Sequence, residues 1–551
     1  MKKFTLIPWL TLLLTGIIAN CDMPDTEVHV SQDFMTHVAQ VSFVTDASNE
    51  VAGKLLEELN EVKVNLDGPD KDKVYNIEGR KDDFKIQGGR LHLLLSPNEL
   101  TTDTESRTVN VIVDIPGYLK RNVPVTFIKG INNGFVEVAL IKKTNLPQGI
   151  KLAEDKTGTI DPVDGLDKTI PIKASNEDVG GVTTEISIPA GVKMFGVNEK
   201  GEKDPLSGKL EAEVVSFTDN GDLTAYFPGG LMPTNIDMNN GTTEDGAFVS
   251  AGFAAINMKV NGKTVKTFEG GEVDVKMTLG KTTYNPATGL PFKKDDTIDI
   301  WSYDDDKGQW KSHERNAIVK ADSNGSLYVT FTTDHLSYFN LDYLASGNGG
   351  KCFYTNLKVK WTGVTTENKV RARFVFTYLG TGASPWTQRV MTTEGEVYND
   401  ANIYIYNAPR LPIQIEVYDI DNGKSLAKKT FANGALCNGN AEISITAPAP
   451  VIELVSLTYK GMCSGTRIYP PVGTLVYYKP AGGNWQIFHY VDYAKRFDTK
   501  IVTNKLKMNE TYDFRIYAGG KFQERTNIVI TKAVHDIEVK LPDNICKSLA
   551  R

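Results

Sequence analysis

Residues 296–310 read DTIDIWSYDDDKGQW: an alternating run, three consecutive aspartates, and a second alternating run. In TIDIW (297–301) Ile298 and Ile300 fall on one face of an extended chain, because successive side chains alternate across a strand. Asp306-Lys307-Gly308 supplies a turn in which Gly308 can take a positive φ, and QWKSH (309–313) begins the return strand. The unit is a β-hairpin. Trp301 and Trp310 are expected as a cross-strand or same-face aromatic pair, worth about 0.5–1.5 kcal/mol beyond burial. Acidic runs also build calcium loops, but an EF-hand type needs glycine at the sixth position and glutamate at the twelfth. Counted from Asp304, the sixth residue is Gln309. Asp304, Asp305 and Asp306 therefore read as a solvated hairpin tip, where changing all three to asparagine should barely alter stability.

The same punctuation runs outward in both directions. AQVSFVTD (39–46), VKVNLDGP (62–69), RLHLLLSP (90–97), VNVIVDIPGYL (109–119) and NVPVTFI (122–128) are short strands between Asp, Gly, Asn and Pro turns. NEVAGKLLEELNEV (49–62) reads as a short helix or an irregular linker. TNLPQGIKLAEDKTGTIDPVDGLDK (144–168) is loop-rich. ASGNGG (345–350) and APAP (447–450) separate two further β units, the first with Asn422-Gly423 at a hairpin tip. A chain of 551 residues exceeds what one core supports. With 40% hydrophobic and 23% charged residues it has ordinary globular composition, and a net charge of −7 is no footprint for nucleic acid. The class is all-β: tandem β-sandwich domains.

The first residues stand apart. Lys2 and Lys3 precede an apolar run from Phe4 to Ala19, about 16 residues and short of the roughly 20 that span a bilayer. Its end, TGIIANC (15–21), resembles the lipobox of bacterial lipoproteins, with Asn20 where Gly, Ala or Ser is usual. The resemblance implies a signal peptide over 1–20 and lipidation of Cys21, with several acyl chains giving a stable anchor. The alternative is plain secretion. An acidic tether, 21–37, follows. The implied location is the bacterial cell envelope, at the outer membrane, with the lipid anchor holding the chain on the membrane.

Two resemblances divide the remainder. The strand order and PGYL (116–119) of the first unit resemble carboxypeptidase-regulatory-like sandwiches, as does the last unit with NETYDFRI (509–516). IPAG (188–191), FPGGL (227–231), the Trp301–Trp310 hairpin and HLSYFNLD (335–342) resemble the β-module of cartilage intermediate layer protein, which also occurs in surface lipoproteins of Bacteroidetes. The expected domains, sandwiches of immunoglobulin-like or carboxypeptidase-regulatory-like class, are 38–150 (carboxypeptidase-regulatory-like), 165–344 (the cartilage-intermediate-layer-like module), 351–448 (a β-sandwich) and 449–551 (carboxypeptidase-regulatory-like). These resemblances imply a structural, adhesive or binding role, not catalysis.

Four cysteines remain after Cys21. Cys352 and Cys437 are 85 positions apart and Cys463 and Cys546 are 83 apart, so the matched spacing favours Cys352–Cys437 and Cys463–Cys546. Four reduced thiols are the alternative. Neither spacing suits a metal or redox motif, and no metal or cofactor is implied. GMCSG (461–465) mimics a nucleophile elbow, yet TRIYPPVG after it cannot be the helix that motif needs. SLAK (425–428) matches S-x-x-K, but in a strand Ser425 and Lys428 should point to opposite faces. His335 reads as a packed residue. The seven histidines are scattered singly. The remaining surface candidate is aromatic: Tyr477, Tyr478, Trp485 and Tyr490 could stack on sugar rings or on an extracellular protein partner, against the plainer reading of core and junction residues. A glycan-binding accessory lipoprotein is thus the second functional reading, and an enzyme on a β scaffold the third.

Overall fold

A computed structural model describes residues 27–28 and most of 37–540; residues 1–26, 29–36, 541–551 and short internal stretches, among them 46–55, 381–387 and 491–499, lie outside the described residues. The regular elements described are nearly all strands, with short 3-10 turns such as Lys71–Lys73 and Ala435–Asn438. The chain forms two compact units, His37–Val451 and a second made of Met1–Thr36 with Ile452–Arg551. The all-β class and the tandem sandwiches hold.

In the larger unit, His37–Thr45 lies parallel to Gly134–Leu140 and antiparallel to Arg90–Leu95. A second sheet, Asn65–Asp67, Ser106–Val113 and Arg121–Ile128, supplies the opposite face. Alternation does the work here. Val109, Val111 and Val125 turn inward to meet Val41, Phe43, Leu91 and Leu93, all within one core. Leu56 and Leu59 join that core, and the described part of 49–62 contains no helix.

The central module pairs an eleven-stranded sheet with a five-stranded one. Ile150–Asp155, Thr159–Asp161 and Gly165–Leu166 all belong to the larger sheet, so the stretch read as a loop-rich separator contributes three strands to it. The stretch is loop-rich as read, but its turns join short strands of this sheet. Ala247–Val260 is 14 residues long, and its first ten are buried on both faces. One face meets Ile186, Val275 and Val329 of the five-stranded sheet in a common core; on the other lies an aromatic cluster. The register slips at Ser250/Gly252, and Gly252 has φ +140. A Cβ there would come 2.4 Å from a Val182 methyl, so both backbone and space require glycine.

Residues 351–445 form a smaller sandwich of a three- and a four-stranded sheet. The Cys352–Cys437 disulfide is present, tying strand Lys351–Lys360 to the turn Ala435–Asn438. In the smaller unit, Val455–Cys463 is flanked by Lys500–Thr503, Thr466–Ile468 and Val534–Lys540, above a core of Leu457, Tyr478, Phe488, Tyr512 and Phe514. Glu27–Val28 pairs in parallel with Arg467–Ile468. Part of the expected tether is therefore a strand of the C-terminal sheet. No helix of the described residues is long and apolar enough to cross a membrane.

Candidate functional site

The hairpin at 297–318 forms as its residues dictate, with Asp304 opposite Gln309. Asp304 Oδ1 accepts the amides of Asp306 (3.1 Å) and Lys307 (2.9 Å), and Gly308, at φ 64, donates to the Asp304 carbonyl at 2.8 Å. The tip is not solvated as expected. Asp305 is turned into the first sandwich, where its carboxylate meets Lys120 Nζ at 3.2 Å and Asn122 Nδ2 at 2.5 Å. Its carbonyl accepts Asn110 Nδ2 at 3.0 Å. The Lys120 and Asp305 side chains are each only 14% exposed, which makes this a largely desolvated ion pair. Only Asp306 remains at the surface, paired with Lys266.

The receiving surface is the outward face of the Ser106–Val113/Arg121–Ile128 hairpin. In an isolated sandwich that face would be wet; here Asn110 and Asn122 are fully buried. Tyr303 donates its hydroxyl to Asn110 Oδ1 (3.2 Å), and Tyr338 donates to the Lys120 carbonyl (2.9 Å). Burial raises both phenol pKa values, and the Asp305 charge adds to the effect at Tyr303. At the margin Arg121 lies 5.1 Å over the Tyr226 ring, Lys259 pairs with Asp114 at 2.7 Å, and Lys143 bridges Glu154 and Glu213. Burial alone would lower the Lys143 ammonium, but the two glutamates outweigh it and hold its pKa up. The arrangement can do one thing well: lock two sandwiches into one body through buried, directional polar contacts.

Behind the hairpin, Trp301 and Trp310 are diagonal neighbours, since Tyr303 stands opposite Trp310 and Ser312 opposite Trp301. Phe248 bridges them at 5.4 and 5.5 Å, and Phe227 stacks on Trp310 at 4.5 Å. Trp310 Nε1 donates to the Pro228 carbonyl at 3.0 Å. FPGGL thus serves as the lid of this aromatic cluster.

A second buried polar group sits in the same sheet. Asp342 has no exposure; its Oδ1 accepts the Val249 amide (2.7 Å) and its Oδ2 accepts Asn340 Nδ2 (2.5 Å). Ser250 Oγ donates to Asn340 Oδ1 at 2.6 Å, at the bulge in Ala247–Val260. Burial raises the Asp342 carboxyl far above the usual range, the hydrogen bonds oppose this, and nearby Asp299 adds to the rise. The sequence marked Asp305 only as one of three tip aspartates, and it did not single out Asn340 or Asp342. NLD (340–342) was legible only as a strand with polar residues at positions the pattern could not mark as buried.

The other candidates fall as follows. Ser425 and Lys428 both reach Glu416, at 2.7 and 3.0 Å, because a bulge beside Tyr418 brings them to the same side. The opposite-face expectation fails for that reason. Glu416, which burial alone would raise, is held low by Ser425 and Lys428, so Lys428 serves as an ion-pair partner. His313 and His335 lie 5.9 Å apart beside Phe339; His313 Nε2 meets the Thr332 carbonyl at 2.9 Å, and burial lowers its pKa. Tyr477 and Tyr478 are core residues, with 0% and 6% exposure. Arg515 covers Tyr477 and Tyr478 packs on Phe488, so neither offers a face to a sugar ring. Tyr490 ends strand Gln486–Tyr490, while Trp485, Cys546 and Cys21 lie outside the described residues. Cys463 ends strand Val455–Cys463. Among the described residues no group of three or more His, Cys, Asp or Glu is placed to hold a metal.

No family model and no curated protein matches the chain. Solved structures that do match include the minor pilin of Streptococcus agalactiae, with 11% identity, covering 34% of this chain and 97% of that one at a TM-score of 0.13. The shaft pilin SpaA of Lactobacillus rhamnosus GG matches with 9% identity over 34% of this chain and 99% of its own, TM-score 0.16. The Bacillus anthracis TIE protein matches with 10% identity, 72% and 76% coverage, TM-score 0.12. At such TM-scores these matches carry no inference about activity.

Proposed function

We propose that this chain is a lipid-anchored lipoprotein of the bacterial envelope, at the outer membrane, whose sandwiches act as a rigid structural or adhesive spacer without catalysis. The observation that carries the spacer reading is the Asp305 joint. Two sandwiches joined by a flexible linker need no buried ion pair, whereas here Lys120, Asn110 and Asn122 grip one hairpin tip. A desolvated pair of this kind contributes geometry and specificity more than net stability, which suits a spacer that must hold a fixed shape. The anchor reading rests on the lipobox-like TGIIANC ending at Cys21.

Detergent partitioning tests the anchor. The native chain should enter the detergent phase and Cys21→Ser should move to the aqueous one; a Cys21→Ser chain that stays with detergent refutes lipidation. The spacer is tested on the same soluble variant by small-angle scattering. Its 37–451 unit should fit a single rigid shape, and Asp305→Asn should broaden the distribution. Equal flexibility in both refutes the spacer.

A further inference from the structure

In three places the chain opens and closes a sandwich on neighbouring parallel strands. His37–Thr45 opens the first sandwich and Gly134–Leu140 closes it, paired in parallel over seven positions, from Ala39 opposite Gly134 to Thr45 opposite Leu140. Lys351–Lys360 and Ala441–Ser444 do the same in residues 351–445 over four positions, and the Ile445 amide extends that ladder to the Lys360 carbonyl at 2.8 Å. In the smaller unit Val455–Cys463, the first strand after APAP, pairs in parallel over seven positions with Val534–Lys540, the last strand described.

Parallel pairing decides what tension does. A pull along the chain draws the first strand toward its N-terminus and the last toward its C-terminus. On parallel neighbours these directions oppose each other along the ladder, so all the hydrogen bonds between the strands are loaded together. On antiparallel neighbours both loose ends leave from one end, and the bonds part singly. Parallel ladders are slightly weaker per residue than antiparallel ones, so the resistance comes from load direction and not from bond strength. It acts on the unfolding rate, which governs forced unfolding. In residues 351–445 the Cys352–Cys437 bond also carries the load and leaves 353–436 off its path.

The central module lacks this arrangement. Its first strand, Ile150–Asp155, is antiparallel to Gly208–Phe217, that strand to Ala247–Val260, and that one to the last strand, Tyr338–Ala345. Three reversals make the first and last strands antiparallel, so the chain enters and leaves at the same end of the sheet. Among the described residues the entering strand has a hydrogen-bonded neighbour on one side only. Tension can peel it. We propose that the chain is a force-bearing tether, in which the terminal strand pairs of three sandwiches resist tension in shear and the central module yields first. The source of the load, an anchored end and a held partner, rests on the spacer of the proposed function; the strand geometry does not.

Single-molecule pulling on the full Cys21→Ser chain tests this, with one handle at the N-terminus. A second handle at Lys142, exposed just past the closing strand, loads the His37–Thr45/Gly134–Leu140 pair in shear. Moved to Gly134, opposite Ala39, it loads the same pair from one end. The first sandwich should then open at a several-fold lower force, while the urea midpoints of the two handled chains stay equal. Equal forces overturn the proposal. With the second handle at residue 551, the short Glu27–Val28 pairing parts first. The first large step should then be that of residues 150–345, about 650–700 Å when drawn out. Cys352→Ala with Cys437→Ala should add a step of about 300 Å, from the 85 positions that the bond spans. A first sandwich that opens before the module, or a disulfide-bonded chain that already shows the added step, overturns the proposal. A 37–451 unit that scatters as a flexible body, while the force still depends on handle position, removes the spacer and leaves the shear clamp standing.

Discussion

Asp305 is the residue at which sequence reading and structure part most usefully. In sequence it is the middle of three like charges and looks the most exposed; in the fold it is the most enclosed of them. Asp305→Asn should cost about 2–3 kcal/mol, because Lys120 keeps a desolvated charge with no counter-ion. Asp306→Asn should cost less than about 1 kcal/mol, as expected for an exposed pair. Asp304→Asn preserves a side-chain oxygen for the turn amides and should cost little. Urea melts of the three single variants check this; equal effects would return Asp305 to a solvated tip. Asp342 makes a different prediction. Its folded pKa is raised, so the native state holds a proton that the unfolded chain has released above about pH 4. Stability from this group is complete below the unfolded pKa and declines as pH rises toward the folded one, by up to about 1.4 kcal/mol per pH unit. Asp342→Asn carries no such proton, so its stability relative to the parent should improve from pH 5 to pH 8. A constant gap between the two melting curves across that range refutes a neutral Asp342.

At the scale of elements, strands and hairpins were legible because their signal is local. Ile298 and Ile300 alternate, Gly308 sits where φ is positive, and Asp419 to Lys424 closes at Gly423 as the Asn-Gly pair implies. What lies between strands of different sheets was not legible. Nothing in VNVIV shows that Asn110 faces another domain, and nothing in SLAKKT shows the bulge that brings Ser425 round to Glu416. Two strands between 159 and 166 were lost in turn-rich text, since strands of two or three residues carry no period to read. The cysteine spacing was an intermediate case, and it gave the Cys352–Cys437 pair. That bond closes a loop of 85 positions, for which loop entropy alone gives roughly 4–5 kcal/mol, at and above the upper end of the ~2–4 kcal/mol typical of disulfides. Replacing both cysteines with alanine should lower the denaturant midpoint of the larger unit accordingly. A midpoint unchanged by the double variant would show that the bond contributes nothing.

The whole molecule is two units whose cores are built separately, and the chain passes through the smaller one at both ends. Units with separate cores unfold as separate cooperative steps unless their interface is large and apolar. Calorimetry should therefore show two transitions. Unfolding enthalpy near 60 °C is about 0.7 kcal/mol per residue, so roughly 415 residues in the larger unit and 136 in the smaller give a ratio of about three to one. The variants then assign the peaks. Asp305→Asn and the loss of Cys352–Cys437 both lie within His37–Val451 and should shift only the larger transition. Tyr512→Phe, which removes the hydroxyl that donates to Glu510 at 3.0 Å and accepts the Lys507 amide at 2.9 Å, should shift only the smaller. A single transition, or two that move together with every variant, would mean that the units share one cooperative core.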